Sequence, residues 1–317
     1  MSVSAIVVSY WTGPTLRDCL AALLAEPLIS EVILVNNGNA YKTSHWLSEL
    51  TLQDARIKVL TPQNNIGFSA GCNYGAWHTQ NEYLAFINPD LILLPGSLDT
   101  ILRELQSDPA IWICGARLLN PDGSEQRGGR RELLTPWRSF VELTRLDKLF
   151  PRHPYFRRFH QHEEEVITTP FDVPTISGAF MVMRRSVFRI LGGFDDHMFM
   201  HVEDSDLCIR ILQKGGRVRY CGNAPVRHFL STSDAAKCFV NWHKTRSATY
   251  FFHKHFTGAY PSWALSLMAI LLWCRFSVML LRHGPSDILW AIGRLHRISK
   301  ESRSTGATLS SAHSDEG

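Results

Sequence analysis

The sequence predicts an α/β protein built on a mixed, mainly parallel sheet with helices on both faces, and three observations carry that prediction. Short, continuously apolar runs alternate with segments whose apolar residues recur at helical spacing. Polar residues and turn formers stand at the end of each apolar run. The alternation lasts long enough, in a chain of 317 residues with 45% hydrophobic content, to bury a sizeable core.

Residues 3–9 form the first apolar run, and Leu16, Cys19, Leu20, Leu23 and Leu24 then recur at helical spacing. Residues 31–35 repeat the strand pattern ahead of Trp46, Leu47 and Leu50. Further strands are expected at 57–60, 83–87 and 111–116, with helices at 69–78 and 97–106. In such a sheet the ligand crevice lies beyond the carboxyl ends of the strands. Tyr10-Trp11, Asn36-Asn37-Gly38, Asn64-Asn65-Ile66-Gly67 and Asn88-Pro89-Asp90 all fall there. The pattern breaks over 117–173, a basic stretch containing Gly128-Gly129 that reads as an insertion lying over the crevice, and resumes at 176–183.

Toward the C-terminus, residues 242–256 read as a basic, aromatic helix, and 263–281 carry a single charge, Arg275. The latter is close to the roughly twenty apolar residues that cross a bilayer. The flanking Lys254, His255, Arg275 and Arg282 suit equally a helix lying in the membrane interface, and a buried core helix is the third reading. Residues 302–317 are small and polar, as in a disordered tail.

Composition narrows the function classes. A net charge of +4 is too small to argue for nucleic-acid binding. Seven cysteines without a Cys-x-x-Cys pair argue against a zinc site or a disulfide framework and fit a reducing, cytoplasmic setting. The N-terminus passes straight into Ser4-Ala5-Ile6-Val7-Val8-Ser9, so no secretory leader is expected.

The richest stretch is 199–210, which crowds Glu203, Asp204 and Asp206 onto the opening turn of a helix that Gly215-Gly216 would stop. The helix mouth should favour the ionised carboxylates of Glu203 and Asp204, and an ionised carboxylate can accept a proton. Asp206 and Arg210 stand four residues apart and read as a structural pair. Asp90 projects from a strand end. A single carboxylate there can hold Mg²⁺ or Mn²⁺ if a diphosphate supplies further oxygens, and His228, just beyond a short strand at 218–220, is the candidate second ligand. The loop at 61–71 has neither the Lys-Ser/Thr of a P-loop nor dinucleotide-fold glycine spacing, but can offer Asn side chains and backbone N–H groups to a ligand.

Ile6-Val7-Val8-Ser9-Tyr10, Val35-Asn36-Asn37-Gly38, Asn64-Asn65-Ile66-Gly67-Phe68, Phe86-Ile87-Asn88-Pro89-Asp90, Ser177-Gly178-Ala179-Phe180-Met181, Gly192-Gly193-Phe194-Asp195 and the Glu203-Asp204 helix follow one another in an order that resembles the family 2 glycosyltransferases. The resemblance runs from Val3 to about Phe256 and is strongest to the rhamnosyltransferase-like branch that builds bacterial surface polysaccharides. It implies a GT-A fold and inverting transfer of a sugar, dTDP-rhamnose being the favoured donor, to a polyprenyl-diphosphate-linked or polysaccharide acceptor.

By that resemblance Ser9, Tyr10, Asn36 and Asn64 line the nucleotide pocket, with Gly67 and Asn88 beside them. By the same resemblance Asp90 holds a divalent metal and Asp204 is the base; His228 stays the candidate second ligand from its position, and Glu203 is expected to orient the acceptor. Asn36 and Asn88 depart from the aspartates usual in the wider family. Arg127, Arg130, Arg131 and His201 are assigned to the acceptor. The chain then divides into a nucleotide-sugar half (1–116), an acceptor and catalytic half (117–256), membrane-associating helices (257–301) and the tail (302–317). The enzyme is expected at the inner face of the plasma membrane, with homo-oligomerisation left open. The alternatives are another UDP- or GDP-sugar transferase of this fold, or a non-catalytic sugar-binding subunit; a glycoside hydrolase fits poorly because its two carboxylates would be adjacent.

Overall fold

A computed structural model describes residues 2–312 apart from 151–152, 157, 163 and 231, with side chains as far as Arg294. The first half comprises β1 (Val3–Ser9), α1 (Thr15–Ala25), β2 (Ile29–Asn36), α2 (Tyr41–Gln53), β3 (Ile57–Leu60), α3 (Phe68–Trp77), β4 (Tyr83–Ile87), β5 (Leu91–Leu93), α4 (Ser97–Ser107) and β6 (Ile111–Leu119). There follow β7 (Arg130–Arg131), α5 (Pro136–Thr144), α6 (Leu146–Leu149), β8 (Pro170–Asp172), β9 (Thr175–Ile176), β10 (Phe180–Arg184), α7 (Arg185–Leu191), α8 (Glu203–Gln213), β11 (Arg217–His228), α9 (Lys237–Phe256) and α10 (Ser262–Ala312).

The central sheet has nine strands in the order β3-β2-β1-β4-β10-β6-β11-β5, with β8 also pairing β11. Strands β1 to β4 are mutually parallel, and β10 runs antiparallel between β4 and β6. Every residue of β1 and β4 is buried, because helices cover both faces. Val3, Ala5 and Val7 pack with α1 and α4 on one face, and Ile6 and Val8 pack with α3, α7 and α8 on the other. Helix α3 lies tight against β1: a Cβ on Gly71 would come 2.8 Å from Val8, and one on Gly75 2.7 Å from Ile6.

Three features differ from the sequence reading. Strand β5 turns back directly after Asp90 and pairs with β11, opposing His228 to Leu91. Strand β11 runs twelve residues rather than three, through a bulge between Cys221 and Pro225. The stretch 117–173 is no simple covering loop: β6 continues into it as far as Leu119, and β7 pairs with β9.

Helix α10 is longer than expected. Its inner face contributes Leu265, Met268 and Leu272 to a core shared with Phe251, Phe252 and Phe256 of α9. Its outer face presents Trp263, Ile270, Val278, Leu281, Ile288 and Ile292 to solvent, all within one stripe at helical spacing. The segment Ser262–Arg294 is long and apolar enough to cross a membrane by length and composition. The helical backbone continues to Ala312, into the stretch expected as a tail, and 313–317 lie outside the described residues.

Candidate active site

The strand ends build the nucleotide side. Ser9 is fully buried, and Asn36 is buried with its amide engaged: Nδ2 donates to Ser44 Oγ (3.1 Å) and Oδ1 accepts from Asn39 Nδ2 (2.9 Å). Asn39, which the sequence reading passed over, also donates to the Ser9 carbonyl (3.0 Å) and accepts from Trp11 N–H (2.6 Å), tying the ends of β1 and β2 together. That bond holds Trp11 at φ 47°, a left-handed conformation rare outside glycine. Asn37 donates to Asn65 Oδ1 (2.8 Å) and accepts from Ile66 N–H (2.9 Å), which fixes the loop before α3.

Asn64 is exposed on that loop, whereas Gly67 faces inward. Gly67 has φ 88°, and a Cβ there would lie 2.5 Å from the Phe199 carbonyl, so close packing against 199 is what requires glycine. From the far side, Arg294 of α10 stacks 3.7 Å above the Trp11 ring and reaches the Tyr10 hydroxyl at 3.5 Å, while Trp290 donates to Asp234 (2.5 Å).

Asp90 is buried beside His228, with Nε2 3.0 Å from Oδ1, and Thr232 donates to Oδ2 (3.1 Å). Asn88 Nδ2 stands 3.2 Å from the same His228 Nε2. The β5–β11 pairing creates this proximity across 138 residues of chain. Among the described residues no group of three or more His, Cys, Asp or Glu side chains could hold a metal. A carboxylate, an imidazole and a hydroxyl nevertheless form a donor set that fits a divalent cation whose remaining positions go to phosphate oxygens and water.

The second cluster surrounds the start of α8. His201 (φ 74°) and Val202 (φ 63°) are consecutive left-handed residues, a strained entry that turns Glu203 and Asp204 inward. Asp204 Oδ2 accepts from Arg131 Nη2 (2.6 Å) and Gly178 N–H (2.8 Å); Oδ1 accepts from Ser205 N–H (2.6 Å) and its hydroxyl (3.2 Å). Burial pushes this carboxyl up, but the Arg131 charge, its hydrogen bond and that of Gly178 outweigh burial and hold it below the usual range. Glu203 goes the other way. Burial and then the neighbouring Asp204 charge push it up to about 8, and its Oε2 is buried without a hydrogen-bond partner. The expectation of two ionised carboxylates is therefore corrected: at neutral pH Glu203 keeps its proton, because the helix mouth does not offset desolvation.

The two clusters meet through consecutive residues. Gly178 donates to Asp204 while the Ala179 carbonyl accepts from Asn88 N–H (2.9 Å), so the start of α8 and the end of β4 are linked through two consecutive residues. A Cβ on Gly178 would lie 3.3 Å from Asp204 Oδ2 and 3.5 Å from Glu203 Oε1, so this backbone runs close beside both carboxyl groups.

The expected acceptor residues divide. Arg130 is 2% exposed, paired with Glu125 (2.8 Å) and donating to the carbonyls of Glu164 and Glu165, so it is a structural cation, not an acceptor contact. Arg131 is likewise engaged, by Asp204 and the Ile176 carbonyl. Arg127 remains exposed, with Glu142 at 3.6 Å, and His201 is exposed beside the carboxylates. Lys244 of α9 was missed. It is half-buried, and burial followed by the Arg275 charge pulls its ammonium pKa down while Glu203 opposes them, which places cations from α9 and α10 near the carboxylates. Asp206 is fully buried and binds Arg210 (2.7 Å), Lys254 (2.6 Å) and His255 (2.7 Å), so the predicted pair is the core of a larger tether from α8 to α9.

A family-wide sequence profile described as Glycosyl transferase family 2 matches residues 4–192. The chain is 28% identical over 272 residues, 78% of its length and 82% of the relative's, to an N-acetylglucosaminyl-diphospho-decaprenol L-rhamnosyltransferase of Mycobacterium tuberculosis. It is 35% identical over 210 residues to the O-antigen chain rhamnosyltransferase WbaN of Salmonella anatum, covering 63% of this chain and 56% of that one. Among solved structures, GalNAc-T7 with UDP, GalNAc and Mn²⁺ superposes with a TM-score of 0.56 at 16% identity, covering 74% of this chain and 44% of that one. The mannosyltransferase PcManGT from Pyrobaculum calidifontis, in complex with GDP-Man and Mn²⁺, gives 0.52 at 16% identity, over 95% and 82% of the two chains. These structural likenesses speak for the GT-A fold, and the sequence matches identify the chain as a member of glycosyltransferase family 2, of the rhamnosyltransferase-like kind.

Proposed function

We propose that the protein transfers L-rhamnose from dTDP-rhamnose, with inversion, to a hydroxyl of a polyprenyl-diphosphate-linked saccharide at the cytoplasmic membrane surface. The observation that supports this reading is the link from Asp204 through Gly178-Ala179 to Asn88, two residues before Asp90, as expected of a proton acceptor and a leaving-group site that serve one reaction. The rhamnosyl donor and lipid-linked acceptor are supported by the name of the mycobacterial relative.

The acceptor hydroxyl attacks the anomeric carbon as the bond from that carbon to the diphosphate oxygen breaks on the opposite face, and the hydroxyl proton passes to Asp204. Asp204 suits the task because it stays ionised across the neutral range. Its oxygens already accept four bonds, and the longest, from the Ser205 hydroxyl at 3.2 Å, is the one an acceptor hydroxyl would replace. Protonated Glu203 can donate to an acceptor oxygen. Asp90 and His228, with Thr232 alongside, would hold a Mg²⁺ or Mn²⁺ ion, which supplies Lewis-acid stabilisation of the departing diphosphate.

Ser9, Tyr10, Asn36 and Asn64 face the nucleotide. Arg127, Lys244 and Arg275 supply charge toward the acceptor diphosphate, and His201, whose imidazole pKa is pulled down to about 3 by desolvation and then by the Lys244 charge, faces the acceptor as a neutral ring. The outer stripe of α10 rests on anionic lipid, where each nearby Lys or Arg adds about 1 kcal/mol.

The deciding experiment combines transfer from dTDP-rhamnose with thermal-shift binding for wild type and Asp204→Asn. The variant should lose about 10²–10⁴ in turnover while dTDP-rhamnose still raises its melting temperature. Retained turnover would remove Asp204 from the mechanism, and stabilisation by UDP- or GDP-sugars alone would reassign the donor.

A further inference from the structure

The start of the insertion carries a residue with no assigned role, Gln126, which is 1% exposed and lies against His228. Its amide orientation is fixed by its neighbours. Nε2 lies 2.9 Å from the His228 backbone carbonyl, which can only accept, and 3.1 Å from Asn120 Oδ1. The Gln126 nitrogen must therefore point that way, leaving Oε1 to face His228 Nδ1 at 2.7 Å. An amide oxygen only accepts, so Nδ1 carries the ring proton in this contact.

In the neutral imidazole the lone pair then sits on Nε2, directed at Asp90 Oδ1 3.0 Å away, with Asn88 Nδ2 placed to donate to it at 3.2 Å. Two acceptors facing each other at that distance repel unless a proton or a metal cation lies between them, and a divalent ion can take the proton's place on Nε2. Metal-bound imidazoles are commonly held in this way, by a partner on the nitrogen that does not bind the ion.

We infer that Gln126 is a positioning residue for a divalent cation: it holds His228 in the tautomer whose Nε2 lone pair, with Asp90, binds the ion. This rests on the reading of Asp90 and His228 as the cation site. It also gives the start of the insertion a use that its basic composition did not suggest, since Gln126 is anchored by its own N–H to the Leu118 carbonyl (2.8 Å) at the end of β6.

The test uses the full chain with Mn²⁺ and dTDP as probes, following free Mn²⁺ by electron paramagnetic resonance, for wild type, Gln126→Leu and His228→Ala. Gln126→Leu should weaken Mn²⁺ binding about 10–100-fold. In parallel, nitrogen spectra of metal-free protein labelled with ¹⁵N-histidine, with His228 assigned by its loss in His228→Ala, should show the proton on Nδ1 in wild type. Wild-type Mn²⁺ affinity in His228→Ala would overturn the cation site itself. Weakened binding in His228→Ala with unchanged binding in Gln126→Leu would overturn the role of Gln126 alone. So would a wild-type His228 protonated on Nε2 alone, with Nδ1 bare, a readout that does not depend on the variant folding.

Discussion

Replacing Glu203 by Gln isolates the cost of burying an acid beside an ionised one. The folded chain holds this carboxyl at about 8 against an ordinary value of 4.5. A folded pKa above the unfolded one favours the native state most below pH 4.5, and that contribution is lost progressively as pH climbs toward 8. At pH 7 the unfolded chain has released a proton that the native chain keeps, which opposes folding by about 3 kcal/mol. An amide does not titrate, so between pH 5 and pH 7 the stability of Glu203→Gln relative to wild type should improve by about 2–3 kcal/mol. Any fixed penalty of the amide, such as an unmade hydrogen bond, cancels in that difference. Asp204 and Asp206, whose pKa values lie below the usual range, lose their contributions only as pH falls further and leave the window undisturbed. Urea unfolding of both proteins at pH 5, 6 and 7 reads the gap directly. A gap that stays constant over this range would refute the assignment of a protonated Glu203.

Two further outcomes follow from the same geometry. Arg131→Met removes the cation that keeps Asp204 acidic, so the acid limb of the kcat/KM profile should move about 1–3 pH units upward; an unmoved limb would dissociate Arg131 from the titrating group. Leu281→Glu with Ile288→Glu places charge on the outer stripe of α10 without touching its buried face, and should abolish flotation with anionic liposomes while leaving the unfolding midpoint nearly unchanged; undiminished flotation would reject membrane contact through this stripe.

How much was legible in the sequence depended on whether the signal was local. Strands β1 and β4 and helix α4 could be read because burial on two faces, or on one helical face, imposes a period that neighbouring residues repeat. Strand β5 has three residues, too few to establish any period, and the bulge in β11 hides its length. Asp90 and His228 could be nominated singly, but their contact comes from the pairing of those two elements. Arg131 and Asp204 are 73 residues apart, and only the β7–β9 pairing brings the guanidinium across. The ionisation of Glu203 was misjudged because helix position is written locally, whereas depth of burial is set by everything that packs around it.

Helix α10 joins two settings that are usually separate. Ile288 and Ile292 belong to its outer stripe, while Trp290 and Arg294, on the adjoining turns, hold Asp234 and the Trp11 ring. Sliding this rod by one helical repeat, about 5.4 Å, would lift the guanidinium off the indole and unroof the aromatic wall at Tyr10. Whatever moves this rod therefore acts at the same time on the end of β1, so the exposed stripe and the Tyr10-Trp11 turn behave as one mechanical unit.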